Sequence, residues 1–212
     1  MSNQKNTTQV ASLSKYYWMF VAKSYLAMAQ IGVSELLEKK YLSVSNANYN
    51  HALYATQIQV YDGKLLLMPI LFNIKHAIEV MLKAHSITFQ QSYFKTHNIE
   101  DLKNGLTTVL GISDPSKDRY FNDIVKIVDK YYKLNMLGNK LIGHQIAFDI
   151  DNDVFRYPEG NKSSFQLDLH LFQQVTDEEI SELSKDIDLL NRRINIPAGY
   201  NHLKPFWNRW AK

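Results

Sequence analysis

The stretch PILFNIKHAIEVMLKAH, residues 69–85, decides the fold class of this chain. Proline suits the first turn of a helix, where its missing N–H costs nothing. At about 100° per residue, one face of this segment is apolar and carries Ile70, Leu71, Ile74, Ala77, Ile78, Met81 and Leu82. The opposite face carries His76, Glu79 and Lys83. We therefore expect an amphipathic helix with its apolar face in a core.

Further helical patterns surround this segment, and they cover about residues 10–40, 51–61, 97–110, 114–137 and 176–194. The first is expected to break near Ile31–Gly32. Ser113-Asp114-Pro115 predicts one helix start, and a capping box of Thr176 and Glu179 predicts another. Residues 165–172 alternate like a short strand. Six helices and at most one short β-hairpin indicate an all-α, up-and-down helical bundle.

Composition limits the class of protein further. The chain has 212 residues, 45% of them hydrophobic, which suits a single domain over residues 1–212. It contains no cysteine, which excludes disulfide scaffolds, thiolate zinc sites and cysteine nucleophiles. The net charge of +3 comes from the C-terminal end, because residues 189–212 hold five basic side chains and no acidic one.

Motif searches of the sequence point to no metal, cofactor or membrane. Residues 138–144 read G-x-x-x-x-G-H and lack the lysine of a phosphate-binding loop. The H-E-x-x-H zinc pattern does not occur. Apolar runs are shorter than the roughly 20 residues of a spanning helix, and no targeting segment is recognised. We expect a cytoplasmic protein without cofactors.

Three strings in fixed order resemble the HEPN superfamily. They are the helix at residues 69–84, the segment KTHNIEDL at residues 95–102, and VFRYPEG at residues 154–160, which looks like a segment of some bacterial HEPN-like proteins. The match covers about residues 50–195. It implies an HEPN-like core there, with an N-terminal helical extension at residues 10–40 and a basic aromatic tail at residues 196–212.

The resemblance implies a homodimeric helical bundle that binds RNA or a nucleotide. Many members of the superfamily are metal-independent ribonucleases of toxin–antitoxin and phage-defence systems. Others have lost catalysis and bind partner proteins. The alternative for this chain is therefore a non-catalytic interaction module, with a nucleotidyltransferase-type antitoxin as its partner.

The sequence departs from the superfamily's catalytic pattern, in which Arg is followed after four to six residues by His. His144 is preceded at those spacings by Leu137, Gly138 and Asn139, none of which is cationic. A rearranged site is the remaining catalytic interpretation. In it Arg156 clamps the phosphate, because its planar guanidinium grips two oxygens, and His144 or His97 acts as acid and base.

The same residues have structural interpretations. Glu79 and Lys83, spaced i and i+4, suit either a surface ion pair or a groove that orients the catalytic residues. His76 suits either a solvated position or the same groove. His97 and His144 suit helix ends, and Arg156 suits a loop contact. The aromatic and cationic side chains of the tail suit single-stranded nucleic acid, a membrane surface, a protein partner or docking onto the bundle itself.

Overall fold

The computed structural model describes residues 3–39, 66–90, 95–112, 114, 118–132 and 175–194. Five helices account for their regular structure: α1 (Asn3–Lys39), α2 (Leu67–Gln90), α3 (Ile99–Leu110), α4 (Arg119–Tyr132) and α5 (Asp177–Ile194). In α1, side chains are described from Tyr16 to Glu38. The predicted all-α bundle is confirmed for the described part of the chain, which contains no strand.

The helices pack in an up-and-down arrangement around α2. Helix α1 runs antiparallel to α2, because Gly32 lies against Ile70 near one end and Trp18 lies against Lys83 near the other. Helix α4 is also antiparallel to α2, and the hydroxyl of its Tyr132 donates to the carbonyl of Lys75 over 2.8 Å.

Helix α5 closes the bundle against α1 and α4. Gln30 Nε2 on α1 donates to Ser184 Oγ at 3.2 Å, and Tyr131 on α4 donates through its hydroxyl to Asp186 at 2.8 Å. All five apolar positions predicted for α5 are buried: Ile180, Leu183, Ile187, Leu190 and Ile194.

Capping residues set the helix starts. The predicted box at α5 is confirmed: Glu179 Oε2 accepts from the Thr176 N–H at 2.9 Å, and Thr176 Oγ1 accepts from the Glu179 N–H at 3.2 Å. Asn98 caps α3 by accepting from the Asp101 N–H at 3.0 Å. At the other end of α3, Gly111 takes the left-handed conformation, with φ 64°, that commonly ends a helix.

Three expectations about the helices are wrong. Helix α1 continues through Ile31–Gly32 without a break, and Gly32 lies closely against Ile70 of α2. Helix α4 begins at Arg119 rather than at Ser113-Asp114-Pro115, since Asp118 supplies the cap by accepting from the Phe121 N–H at 2.9 Å.

The third error concerns the polar face of α2. The sequence places Glu79 and Lys83 on a face turned away from the core, yet both are buried, at 2% and 4% exposure. Pro69 is the sole exposed position among the described side chains of α2. The reason is tertiary: α1, α3, α4 and α5 pack around α2 and cover most of its surface.

Some expectations fall outside the described residues: the helix at residues 51–61, the strand at residues 165–172, the end of α4 near residue 137 and the basic aromatic tail. The division into a core at residues 50–195 and an extension at residues 10–40 stays a prediction. Helix α1 nonetheless shares the core, to which it contributes Ala22, Leu26, Ala29, Val33 and Leu36. None of the described helices is long and apolar enough to cross a membrane.

Candidate functional site

The carboxylate of Glu79 is the centre of a polar cluster between α1, α2 and the start of α3. Its Oε1 accepts from Lys83 Nζ at 2.8 Å, one turn further along α2. The same oxygen lies 2.8 Å from His97 Nδ1. Its Oε2 lies 3.8 Å from His76 Nδ1, one turn earlier on α2. We call His76, Glu79, Lys83 and His97 the Glu79 cluster.

The arrangement follows from helix geometry and one cap. Residues three and four positions apart share one side of a helix, so His76, Glu79 and Lys83 are aligned along α2. His97 comes from another element, and it precedes Asn98, the residue that caps α3. The cap fixes the start of α3 next to α2 and brings the imidazole of His97 to the carboxylate.

The tautomer of the neutral His97 ring is set by its partner. An ionised carboxylate only accepts hydrogen bonds, so His97 Nδ1 must carry the proton that it shares with Glu79. In the neutral ring, Nε2 then keeps its lone pair and points away from Glu79. The side chain of His97 is 60% exposed, whereas that of Glu79 is 2% exposed. A buried carboxylate therefore orients an accessible imidazole base.

His76 is held differently, by aromatic rings. The ring of Phe72 stacks on it at 5.5 Å between centroids and 11° between planes. Tyr25 on α1 meets it edge-on at 4.6 Å and 82°. The side chain of His76 is 19% exposed, so the ring is partly open to solvent. Two helices thus fix the orientation of this second imidazole.

Lys83 completes the cluster on the side of α1. Its ammonium group lies 6.0 Å from the ring centroid of Trp18, within the range of a cation–π contact. Removing two charges from water costs several kcal/mol per ion, which only close pairing repays. Since both Glu79 and Lys83 are buried, the surface-pair interpretation of these two residues is wrong.

The structure brings together four of the six residues singled out in the sequence. His76, Glu79, Lys83 and His97 share one cluster, although the roles assigned to them stay predictions. His144 and Arg156 lie outside the described residues, so their roles in the site stay predictions.

Sequence reasoning missed Trp18, Tyr25 and Phe72, the aromatic wall of the cluster. Nothing in the local pattern of α1 identifies its two members, because only the antiparallel packing of α1 on α2 brings them to the site. Phe72 carried a weak signal, since it strays into the polar arc of its helix.

A second polar network, also missed, lies deeper in the bundle. His85 Nε2 lies 2.7 Å from the hydroxyl oxygen of Tyr120, and that hydroxyl donates to the carbonyl of Arg193. Burial raises the pKa of Tyr120 far above its usual range, so the hydroxyl stays protonated. Arg193 is also ion-paired with Asp123. This network joins α2, α4 and α5 and is separate from the Glu79 cluster.

Among the described residues, no three His, Asp or Glu side chains are grouped so that they could hold a metal ion. The Glu79 cluster can instead perform acid–base chemistry, through an oriented imidazole beside an ionised carboxylate. Comparison with protein-family models, curated proteins and solved structures found no match to this chain.

Proposed function

We propose that this chain is an HEPN-like RNA-binding protein that cleaves RNA without metal at the Glu79 cluster. The observation that carries the proposal is the contact between His97 Nδ1 and Glu79 Oε1 at 2.8 Å. It produces an accessible imidazole in the tautomer that can take a proton from a ribose 2′-hydroxyl. The setting in toxin–antitoxin or phage-defence biology rests on the HEPN resemblance.

The reaction needs a base, a cation beside the phosphorane and an acid that gives its proton to the leaving 5′-oxygen. His97 removes the 2′-hydroxyl proton, the 2′-oxygen attacks phosphorus, and the bond to the 5′-oxygen breaks to leave a 2′,3′-cyclic phosphate and a 5′-hydroxyl. Glu79 holds His97 in place, and Lys83 compensates the charge of Glu79. Arg156 is proposed as the cation that stabilises the phosphorane, with His144 near it.

The test is cleavage of a labelled single-stranded RNA by the purified chain in excess EDTA. We expect wild type to form cyclic-phosphate ends, and His97→Asn to lose about 100-fold or more in rate, the usual contribution of a general base. Asn104→Ala, at an exposed position on α3, serves as the control and should cleave at the wild-type rate. Wild-type protein that neither binds nor cleaves the RNA contradicts the proposal.

The alternative function is a non-catalytic interaction module that binds a partner protein such as a nucleotidyltransferase-type antitoxin. It is favoured by the outer side of α1, opposite the core. There the large apolar side chains Tyr17, Phe20, Met28 and Ile31 are 59–68% exposed, and their spacing matches that of a helix-packing seam.

The same side of α1 could seat a second copy, as the homodimer prediction requires. Sedimentation of wild type and of the double variant Phe20→Ser, Ile31→Ser tests this. A dimer that becomes a monomer in the variant supports self-association through α1. The interaction module is favoured if the wild-type protein is a monomer that binds a partner protein but no RNA, and if the double variant no longer binds that partner.

A further inference from the structure

The Glu79 cluster holds two imidazoles, and one carboxylate is close to both. His97 Nδ1 lies 2.8 Å from Oε1, and His76 Nδ1 lies 3.8 Å from Oε2. Both rings therefore turn the same nitrogen toward Glu79 and direct Nε2 away from it. The two contacts use different oxygens of the same carboxylate, so one side chain holds both imidazoles at different points.

Cleavage of RNA by its own 2′-hydroxyl needs two proton transfers. A base must take the proton of the attacking hydroxyl, and an acid must give a proton to the departing 5′-oxygen. A single imidazole can reach only one of these oxygens, since attacking and leaving groups lie on opposite sides of phosphorus. The proposed function assigns the base, His97, and leaves the acid unassigned.

We propose that His76 is the second catalytic residue, the general acid that protonates the 5′-oxygen as its bond to phosphorus breaks. This inference rests on the proposed function and extends it. In the forward step His97 gains the 2′-hydroxyl proton and His76 loses one to the leaving oxygen. The two imidazoles thus exchange protonation states, and proton exchange with water resets them.

The surroundings of His76 suit the donor role. The adjacent Glu79 carboxylate stabilises positive charge on the ring, and Phe72 lies parallel to it, so that its negative π-face adds to this attraction. Tyr25 and Phe72 also restrict rotation of the ring, which keeps its Nε2 proton in one direction. His97, in contrast, is 60% exposed, as suits a base that must accept a proton from a substrate hydroxyl.

The experiment compares two RNA substrates that differ in one atom. In the first the leaving atom is the natural 5′-oxygen. In the second it is sulfur, whose thiolate departs without protonation because thiols are far more acidic than alcohols. Substitution of a general acid slows only the first reaction, whereas substitution of a base or of a structural residue slows both.

We expect His76→Asn and His76→Gln to cleave the oxygen substrate about 100-fold or more slowly than wild type, and the sulfur substrate within about 3-fold of wild type. His97→Asn should be slow on both substrates. Cooperative thermal unfolding shows whether each variant is folded. Two different substitutions of His76 are used so that the test can still be made if one of the variants does not fold.

Three results overturn the inference. The first is His76 variants that cleave the oxygen substrate at the wild-type rate, and the second is variants that lose equally on both substrates. The third is wild-type protein that binds RNA without cleaving it, which leaves the RNA-binding part of the proposed function standing. Wild-type protein that neither binds nor cleaves RNA overturns the inference and the proposed function together.

Discussion

At the scale of single residues, His85 lies in an environment that disfavours a positive charge on its ring. Its ring is fully buried, and its Nε2 lies 2.7 Å from the Tyr120 hydroxyl. Contacts with the backbone carbonyls of Met81 and Arg193 favour a charged ring, but they offset only part of the cost of burying it. Burial lowers the pKa of His85 from 6.5 to about 4.

This pKa shift predicts how stability depends on pH. The folded state binds a proton less readily than the unfolded state, so the contribution of His85 is fully present above pH 6.5. It is lost as pH falls from 6.5 toward 4, and it amounts to about 3 kcal/mol in total. Urea unfolding at pH 7.5 and 4.5 should show a drop in the free energy of unfolding. The drop should be smaller in His85→Gln by most of that amount, since pH 4.5 lies just above the folded-state pKa of about 4. An equal drop in both proteins contradicts the assignment.

The Glu79 cluster shows what residue patterns can and cannot predict. His76, Glu79 and Lys83 could be grouped from sequence because helix spacing alone aligns them. His97 could be named from the resemblance, but its contact with Glu79 depends on the turn before α3. Burial of the pair could not be foreseen, since it results from α1 covering a face that looks polar in the sequence.

At the scale of elements, α1 and α2 pack closely at Gly32. A Cβ atom at Gly32 would lie 2.6 Å from Ile70 Cγ1, closer than van der Waals contact permits. A glycine within a helical pattern suggested a break, but here it permits close approach of two helices. A glycine in a helical pattern is therefore compatible with a helix break or with close packing of two helices. Only the presence of a partner helix decides which of the two forms.

We predict that Gly32→Ala destabilises the protein by about 1–3 kcal/mol, the usual cost of overpacking, although alanine is the better helix former. The measurement is the free energy of unfolding in urea. Ile70→Ala provides the control background, because it removes the side chain that the new methyl group meets. In that background Gly32→Ala should be neutral or stabilising. The same loss in both backgrounds means that the clash is not the cause.

At the scale of the whole molecule, the described helices share one core, and α1 is part of it. The sequence interpretation treated residues 10–40 as an extension of an HEPN-like core. The helix periods, the α5 box and the α3 start were predictable because they are local. The contribution of α1 to the core was not, since both of its sides carry apolar residues and the pattern alone does not say which side is covered.

Two leucines of α1 test this division. Leu26 is fully buried, whereas Leu37 is 37% exposed. We predict that Leu26→Ala lowers the free energy of unfolding by 2–5 kcal/mol, the usual cost of a buried leucine, and that Leu37→Ala costs less than about 1 kcal/mol. Thermal or urea unfolding measures both. Similar small losses for the two variants mean that α1 is a separable appendage.

The most direct test of RNA binding at the Glu79 cluster is NMR of the histidine rings in isotope-labelled protein. The probe is a single-stranded RNA whose 2′-hydroxyls are methylated, so that it binds without being cleaved. We predict that the ring signals of His97 and His76 shift together and saturably as the RNA is added, while those of the buried His85 stay unchanged. Signals of His97 and His76 that do not move while the RNA binds elsewhere, or does not bind at all, contradict the proposal.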